Sequence, residues 1–362
     1  MTDRPAVVLL EYYAVSGRLL LCWAWRGGEA APRLLSVPAE LDALEALVAR
    51  APWSAAAPDP ECDALLAALA EPIVAVARDE DLLWIVPWGP MHQLPLHAAK
   101  LPDGRALIER HPVCYSPSAS VMKLCRSRRR ERCEHAVVLG DAASDLDEAR
   151  AEASVVAARF GTQALVGEAA TVTALDDALA AAGDDLDVLH LACHGAFDAD
   201  APERSGLQLA PDARGDGWLG GDDVQRRRVP ASLVVLSACV SGRTRVQHGD
   251  EPNGLVRGFL AAGAATVVAS LWRVDDLATR LLVEAFYAEL QKPGARWRKA
   301  QALRRAMLAM RSLTLADALR PLGEAERTRL SARAAAAGLG PAAKPFAASR
   351  HWAPFALVGD WG

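Results

Sequence analysis

The chain predicts an α/β fold: a mainly parallel sheet with helices on both faces, preceded by an amino-terminal αβ subdomain. Three observations carry this. From Ala136 onward, short apolar runs suited to buried strands alternate with stretches of helical spacing. Two of those runs end abruptly at a reactive side chain followed by small residues: Leu189-His190-Leu191-Ala192-Cys193-His194-Gly195, and Val234-Val235-Leu236-Ser237-Ala238-Cys239-Val240-Ser241-Gly242. Finally, 362 residues, 52% hydrophobic and 23% charged, suffice for a substantial core in one large domain or two joined subdomains.

The elements follow in order. Ala6 to Val15 and Arg18 to Trp25 alternate apolar and polar residues about Ser16-Gly17, the pattern of a β-hairpin. Pro38 to Arg50 places Leu41, Leu44 and Leu47 on one helical face, and Asp63 to Leu69 is a second helix. Leu82 to Val86 is a short buried strand. Residues 1–130 thus form the amino-terminal αβ subdomain, without a catalytic pair of its own, and residues 131–362 the second unit. There Ala136 to Gly140 reads as a strand, Asp147 to Phe160 as a helix, Ala164 to Val166 as a strand and Thr173 to Ala182 as a helix begun by a Thr cap. Val188 to Ala192 and Leu233 to Ser237 are strands, Asn253 to Ala262 a helix, Ala265 to Leu271 a strand and Leu277 to Leu290 a helix. Asp198 to Arg228 and Gly242 to Pro252 are expected as mobile loops. Ala-rich Arg327 to Arg350 is expected to be helical and carries no chemistry. No internal repeat, and no tetratricopeptide array, is evident.

Composition excludes several classes of function. A net charge of −5 gives no global basis for binding nucleic acid, and the basic run Arg126 to Arg132 is expected to be a solvated inter-subdomain loop. Seven scattered cysteines without a CxxC pair argue against a zinc site or redox motif, and no cofactor is expected. The amino terminus lacks the apolar region of a signal peptide, and no segment is apolar for long enough to cross a bilayer. The expectation is a cytoplasmic protein with reduced thiols and no membrane partner.

The two punctuated runs present an imidazole and a thiol together at the carboxyl edge of a parallel sheet, where open α/β sheets place their ligands. A thiol beside an imidazole can give up its proton and become a strong nucleophile at neutral pH. His194 is the candidate base and Cys239 the candidate nucleophile. His190 lies inside its strand and is read as a core residue; side chains alternate along a strand, so Cys193 faces away from His194 and is expected to be buried. The weighed alternative is that Cys239 is a small buried hydrophobe, the commonest use of a free cysteine.

At these residues the chain resembles the CHAT family of the caspase-like clan, which also holds caspases, metacaspases and separases. The 45 residues from His194 to Cys239 come near the caspase spacing of about 50. The resemblance extends to Leu83-Trp84-Ile85-Val86-Pro87-Trp88-Gly89-Pro90-Met91-His92-Gln93-Leu94-Pro95-Leu96, to Tyr115-Ser116-Pro117-Ser118-Ala119-Ser120, to the Gly263–Asp276 segment ending in Leu271-Trp272-Arg273-Val274-Asp275-Asp276, and to the closing Trp352–Asp360 strand. It implies a caspase-like sheet, a pseudo-protease-like amino-terminal part joined to the catalytic part in one CHAT unit, and cysteine endopeptidase activity through a thioester acyl-enzyme. It further implies backbone N–H groups of Gly195 and Cys239 as oxyanion donors. For specificity, separases carry an Asp in a loop similar to Trp272–Asp276. Asp276 is therefore the first pocket candidate and Asp275 the second, each weighed evenly against a plain helix cap. Trp272 is a candidate pocket wall, and Ser237 stands where metacaspases carry an Asp. The implied partner is a protein substrate, in some family members a gasdermin-like pore former or another effector encoded nearby, with an upstream activator protein, in a bacterial regulatory or antiphage cell-death setting. Two rivals stand beside this: a catalytically silent CHAT interaction module, and a Cys–His acyl hydrolase acting on small molecules. Against the second, the nucleophile segment lacks the G-x-C-x-G elbow.

Overall fold

Val188–Ala192 and Leu233–Leu236 are buried at every position, whereas Val7–Val15 alternates buried and partly exposed residues. That contrast separates parallel strands covered on both faces from a mixed strand, antiparallel to one neighbour and parallel to the other, with one face toward water. The computed structural model describes residues 5–15, 19–50, 53, 59–196, 205–238, 245–246, 252–292 and 298–362. Its strands are β1 Val7–Val15, β2 Leu19–Arg26, β3 Arg33–Ser36, β4 Leu82–Val86, β5 Val113–Tyr115, β6 Ala136–Gly140, β7 Leu165–Val166, β8 Val188–Ala192, β9 His194–Ala196, β10 Gly206–Gln208, β11 Trp218–Gly220, β12 Leu233–Leu236, β13 Arg245–Val246, β14 Pro252–Asn253, β15 Thr266–Ser270 and β16 Phe355–Gly359.

Eleven of these form one sheet in the order β3-β2-β1-β4-β5-β16-β15-β12-β8-β6-β7. Pairing is parallel except at β3–β2, β2–β1 and β16–β15. The sheet runs without a break from the amino-terminal strands into those that follow Ala136, because β16 pairs with β5 on one side and β15 on the other.

Alternate residues of the central strands feed two cores. Val138, Val188, Val235 and Val268 pack on one face with the helices Asp147–Arg159, Asp276–Leu290 and Arg298–Ser312. Leu139, Leu189, Leu191, Val234, Leu236 and Val267 pack on the other with the helices Val172–Ala182 and Leu255–Ala262. Helices therefore cover both faces. Among the described residues no helix is long and apolar enough to cross a membrane.

The strand order places β7 on one side of β6 and β8 on the other. The order in which strands are added reverses there, so the connections leaving β6 and β8 diverge and open a crevice at the carboxyl edge.

Three expectations are corrected. The basic run is not a solvated loop. Arg129 grips the buried Asp360 carboxylate with Nε at 2.9 Å, Arg132 Nε donates to the buried Asp187 at 3.0 Å, and Arg128 donates to the Leu260 carbonyl at 2.6 Å. Arg130 donates to the carbonyls of Asp184 and Pro230, and Arg126 stacks over Trp361 at 4.6 Å. Guanidinium forks suit carboxylate and carbonyl partners, and here they fasten the connection to the carboxyl-terminal segment and to the segments that lead into β8, β12 and β15. Within Asp198–Arg228, residues 205–228 form β10, β11 and a short helix Gly221–Gln225, with β10 pairing β9 and β11 in a three-stranded sheet. Three-residue strands give too short a period to be seen in the sequence. The Ala-rich stretch is not one helix: Glu324–Ala336 ends near Gly338 at φ 66°, and a short helix Ser349–Trp352 begins only at its far end.

Candidate active site

β8 and β12 lie side by side, Leu191 opposite Leu236, and the Ser237 N–H donates to the Leu191 carbonyl at 2.9 Å. The two strands therefore end level. Beyond β8 the chain passes Cys193, whose side chain is buried in the second core, and enters β9 at His194. There Gly195 pairs with Leu207 and His194 with Gln208, so β9 has left the main sheet. This departure lifts the His194 side chain to 45% exposure, whereas His190, four residues earlier, is fully buried. Beyond β12 the described residues stop at Ala238; the next residue in sequence, Cys239, lies outside them.

His190 is held in the core. Its Nδ1 lies 3.2 Å from the Tyr287 hydroxyl, and its Nε2 approaches Glu152 Oε1 at 3.0 Å, close enough for an ion pair but not aligned as a hydrogen bond. Its ring packs edge-on against Tyr287.

A cleft of about 430 Å³ opens at this edge, lined by His194, Gly195, Ser237, Ala238, Ser270, Arg273, Val274 and Asp276, with Leu146 and Thr279 at its sides. Of the sequence candidates, His194, Gly195, Ser237 and Asp276 thus share one cavity. Asp276 opens the helix Asp276–Leu290, and burial together with the neighbouring Asp275 carboxylate raises its pKa above the ordinary value, against the pull of Arg273 and His194. Asp275 and Trp272 lie elsewhere. Asp275 is the cap of that helix, accepting from the Ala278 N–H at 3.2 Å and pairing with Arg333 at 2.8 Å. Trp272 is buried, donates Nε1–H to the Arg350 carbonyl at 3.1 Å and packs tilted against Trp53, ring centroids 6.4 Å apart. It walls a separate cavity of about 280 Å³ with Trp53 and Trp352. Arg273, Val274 and Asp276 turn toward the cleft while Trp272 anchors the same loop in the core.

Sequence reasoning missed Asp145. His194 Nε2 donates to Asp145 Oδ1 at 2.8 Å, across the crevice between the segments that follow β6 and β8. An acid just past a parallel strand was visible, but Asp141, Asp145 and Asp147 stand close together and the sequence gives no means of choosing among them.

The thiols outside Cys239 are chemically quiet. Burial pushes Cys193 and Cys22 up to about 12, and Cys62, Cys125 and Cys133 up to about 11; Cys114 is raised as well. At neutral pH all six are protonated, and a thiol is a poor nucleophile beside a thiolate.

Comparison with known proteins gives short and long matches. Tetratricopeptide repeat protein 28 of Homo sapiens is 39% identical over 72 residues, 20% of this chain and 3% of that protein; its Mus musculus counterpart is 40% identical over the same length. The chain thus spans about 3% of the length of these curated relatives. Among solved structures, the Saccharomyces cerevisiae separase–securin complex aligns over 66% of this chain and 16% of that one, at 14% identity and a TM-score of 0.45. The Arg-specific cysteine proteinase gingipain R aligns over 88% of this chain and 73% of that one, at 10% identity and a TM-score of 0.45. The family model of the CHAT domain matches residues 59–360. With most of its length inside that match, this chain belongs to the CHAT domain family.

Proposed function

We propose that this protein is a cysteine endopeptidase with Cys239 as nucleophile and His194 as general base. One observation carries the reading: the chain leaving β8 delivers the exposed His194 imidazole into a cleft at the carboxyl edge of the sheet, and the adjacent strand β12 ends level with β8, just before Cys239. The chemistry runs by general rules. The imidazole takes the thiol proton, and the thiolate attacks the scissile carbonyl. Negative charge on the carbonyl oxygen is met by the backbone N–H groups of Gly195 and Cys239, each such donor contributing on the order of 3 kcal/mol in the transition state. The imidazolium returns its proton to the leaving amine, a thioester remains, and water activated by the same imidazole releases the acid.

The substrate is a protein. Asp276 at the cleft wall supports a preference for Arg or Lys before the scissile bond, since a carboxylate makes a charge-assisted bidentate contact with guanidinium that a neutral side chain cannot. The bacterial regulatory or antiphage setting, with a nearby effector as substrate, is supported by the resemblance of the motifs. The test of the activity is to incubate a bacterial proteome with the wild-type protein and with Cys239→Ala, then label new amino termini. New termini made by the wild type and absent with Cys239→Ala support the reading. An identical set with both proteins overturns it and favours a silent interaction module.

A further inference from the structure

We propose that Asp145 is a positioning residue for His194, selecting the ring tautomer that leaves Nδ1 free to receive the thiol proton; this rests on the reading of His194 as base. The Nε2–H of His194 donates to Asp145 Oδ1 at 2.8 Å, and among the described residues Nδ1 makes no hydrogen bond. In a neutral imidazole one nitrogen carries the proton and the other the lone pair. A carboxylate accepting at Nε2 therefore places the lone pair on Nδ1.

The segment that carries Asp145 is built to hold it there. Asp141, 1% exposed, accepts from the Leu146 N–H at 2.8 Å and from Arg150 Nε at 2.7 Å, while its carbonyl accepts from the Ser144 N–H at 3.0 Å and the Gly167 N–H at 3.2 Å. Two non-glycine residues, Asp141 at φ 48° and Ser144 at φ 58°, sit in the left-handed region. Such conformations are costly for side-chain-bearing residues and persist where the surroundings over-determine them. The bonds of Asp141 bracket Asp145, which is itself 59% exposed at its side chain and buries no surface of consequence. Exposure also sets the size of the effect: water competes for the same imidazole nitrogen, so loss of Asp145 should cost on the order of tenfold, the low end for a group that orients a functional side chain.

The experiment reads His194 and Cys239 directly and needs no protein substrate. Two-dimensional ¹⁵N NMR of histidine-labelled protein reports the His194 tautomer, and peptide mass spectrometry reports the rate of Cys239 alkylation by iodoacetamide at neutral pH. Asp145→Ala should convert His194 from the Nε2–H form to a mixture and slow alkylation roughly tenfold. Asp145→Asn, whose amide N–H donates to the ring nitrogen, should shift the tautomer toward Nδ1–H and slow alkylation at least as much as Asp145→Ala. His194→Ala is the reference. If it alkylates like the wild type, the base assignment falls and takes the positioning role with it. If it is slow while Asp145→Ala keeps the wild-type tautomer and rate, the base assignment stands and Asp145 is only a surface partner.

Discussion

Cys239 is distinguished from six other cysteines by its surroundings in the chain rather than by its chemistry. Burial holds the described thiols protonated, so a limiting dose of iodoacetamide should label Cys239 ahead of every other cysteine in the folded protein. Mass spectrometry of the labelled peptides checks this, and labelling spread evenly over the seven contradicts it. The histidines separate in the same manner. His194→Ala removes the proposed base and should lower turnover at least about a hundredfold. His190→Ala removes a core group and leaves the buried Glu152 and Tyr287 hydroxyl without it, so it should cost roughly 1–3 kcal/mol of stability in urea unfolding while Cys239 alkylation survives. Asp276→Asn keeps size and leaves the Asp275 cap in place but removes the charge, and should abolish a preference for basic residues, mostly in kcat/KM. A peptide library read with both proteins decides that; unchanged selectivity would leave Asp276 as the first residue of its helix and nothing more.

At the scale of elements, the carboxyl-terminal strand is held by a buried ion cluster. Asp360 is inaccessible to solvent, with Arg129 bidentate on one side and Lys299 Nζ at 3.1 Å on the other, and Lys299 also donates to Thr266 Oγ1 at 2.7 Å. Asp360→Ala strands a buried ammonium, so about 3–5 kcal/mol of stability should be lost, measurable as a fall in the urea midpoint. This cluster explains what was legible in the sequence and what was not. Long-period signals were readable: the apolar runs Leu82–Val86, Ala136–Gly140 and Val188–Ala192 are strands with those bounds, and Asp147–Arg159 is a helix. Long-range pairing was not. Arg129 finds Asp360 across 231 residues and Asp145 finds His194 across 49, and no local pattern encodes either meeting. The short strands β9 to β11 fell below the length at which period-two alternation can be recognised. The placement of Trp272 was equally hidden, because one loop sends its tryptophan to the core and its next residues to the cleft.

At the scale of the whole molecule, one eleven-stranded sheet joins the amino-terminal strands to those at the cleft edge over a shared core, and the acid response should show it. His97 is buried, donating Nε2–H to the Ala353 carbonyl at 3.0 Å and accepting from the Tyr115 hydroxyl at 2.9 Å, so it bridges the two parts while neutral. Burial depresses it to about 4, and burial likewise takes His111 to about 4. The unfolded chain binds these protons near pH 6.5 and the native protein only near 4, so the stabilisation is complete above 6.5 and is lost as pH falls through that window. Each group contributes on the order of 3 kcal/mol, and the urea midpoint should drop steadily from pH 6.5 to 4. A midpoint flat across that range would place both histidines in contact with water. The central claim, that the edge of this sheet is a working cysteine peptidase site, is tested most directly by one comparison: cleavage of a proteome-derived peptide library by the wild type, Cys239→Ala and His194→Ala, read as new termini. Cleavage by the wild type at a defined residue type, absent in Cys239→Ala and reduced at least about a hundredfold in His194→Ala, is the predicted result. Equal cleavage by all three proteins, or none by the wild type, would contradict it.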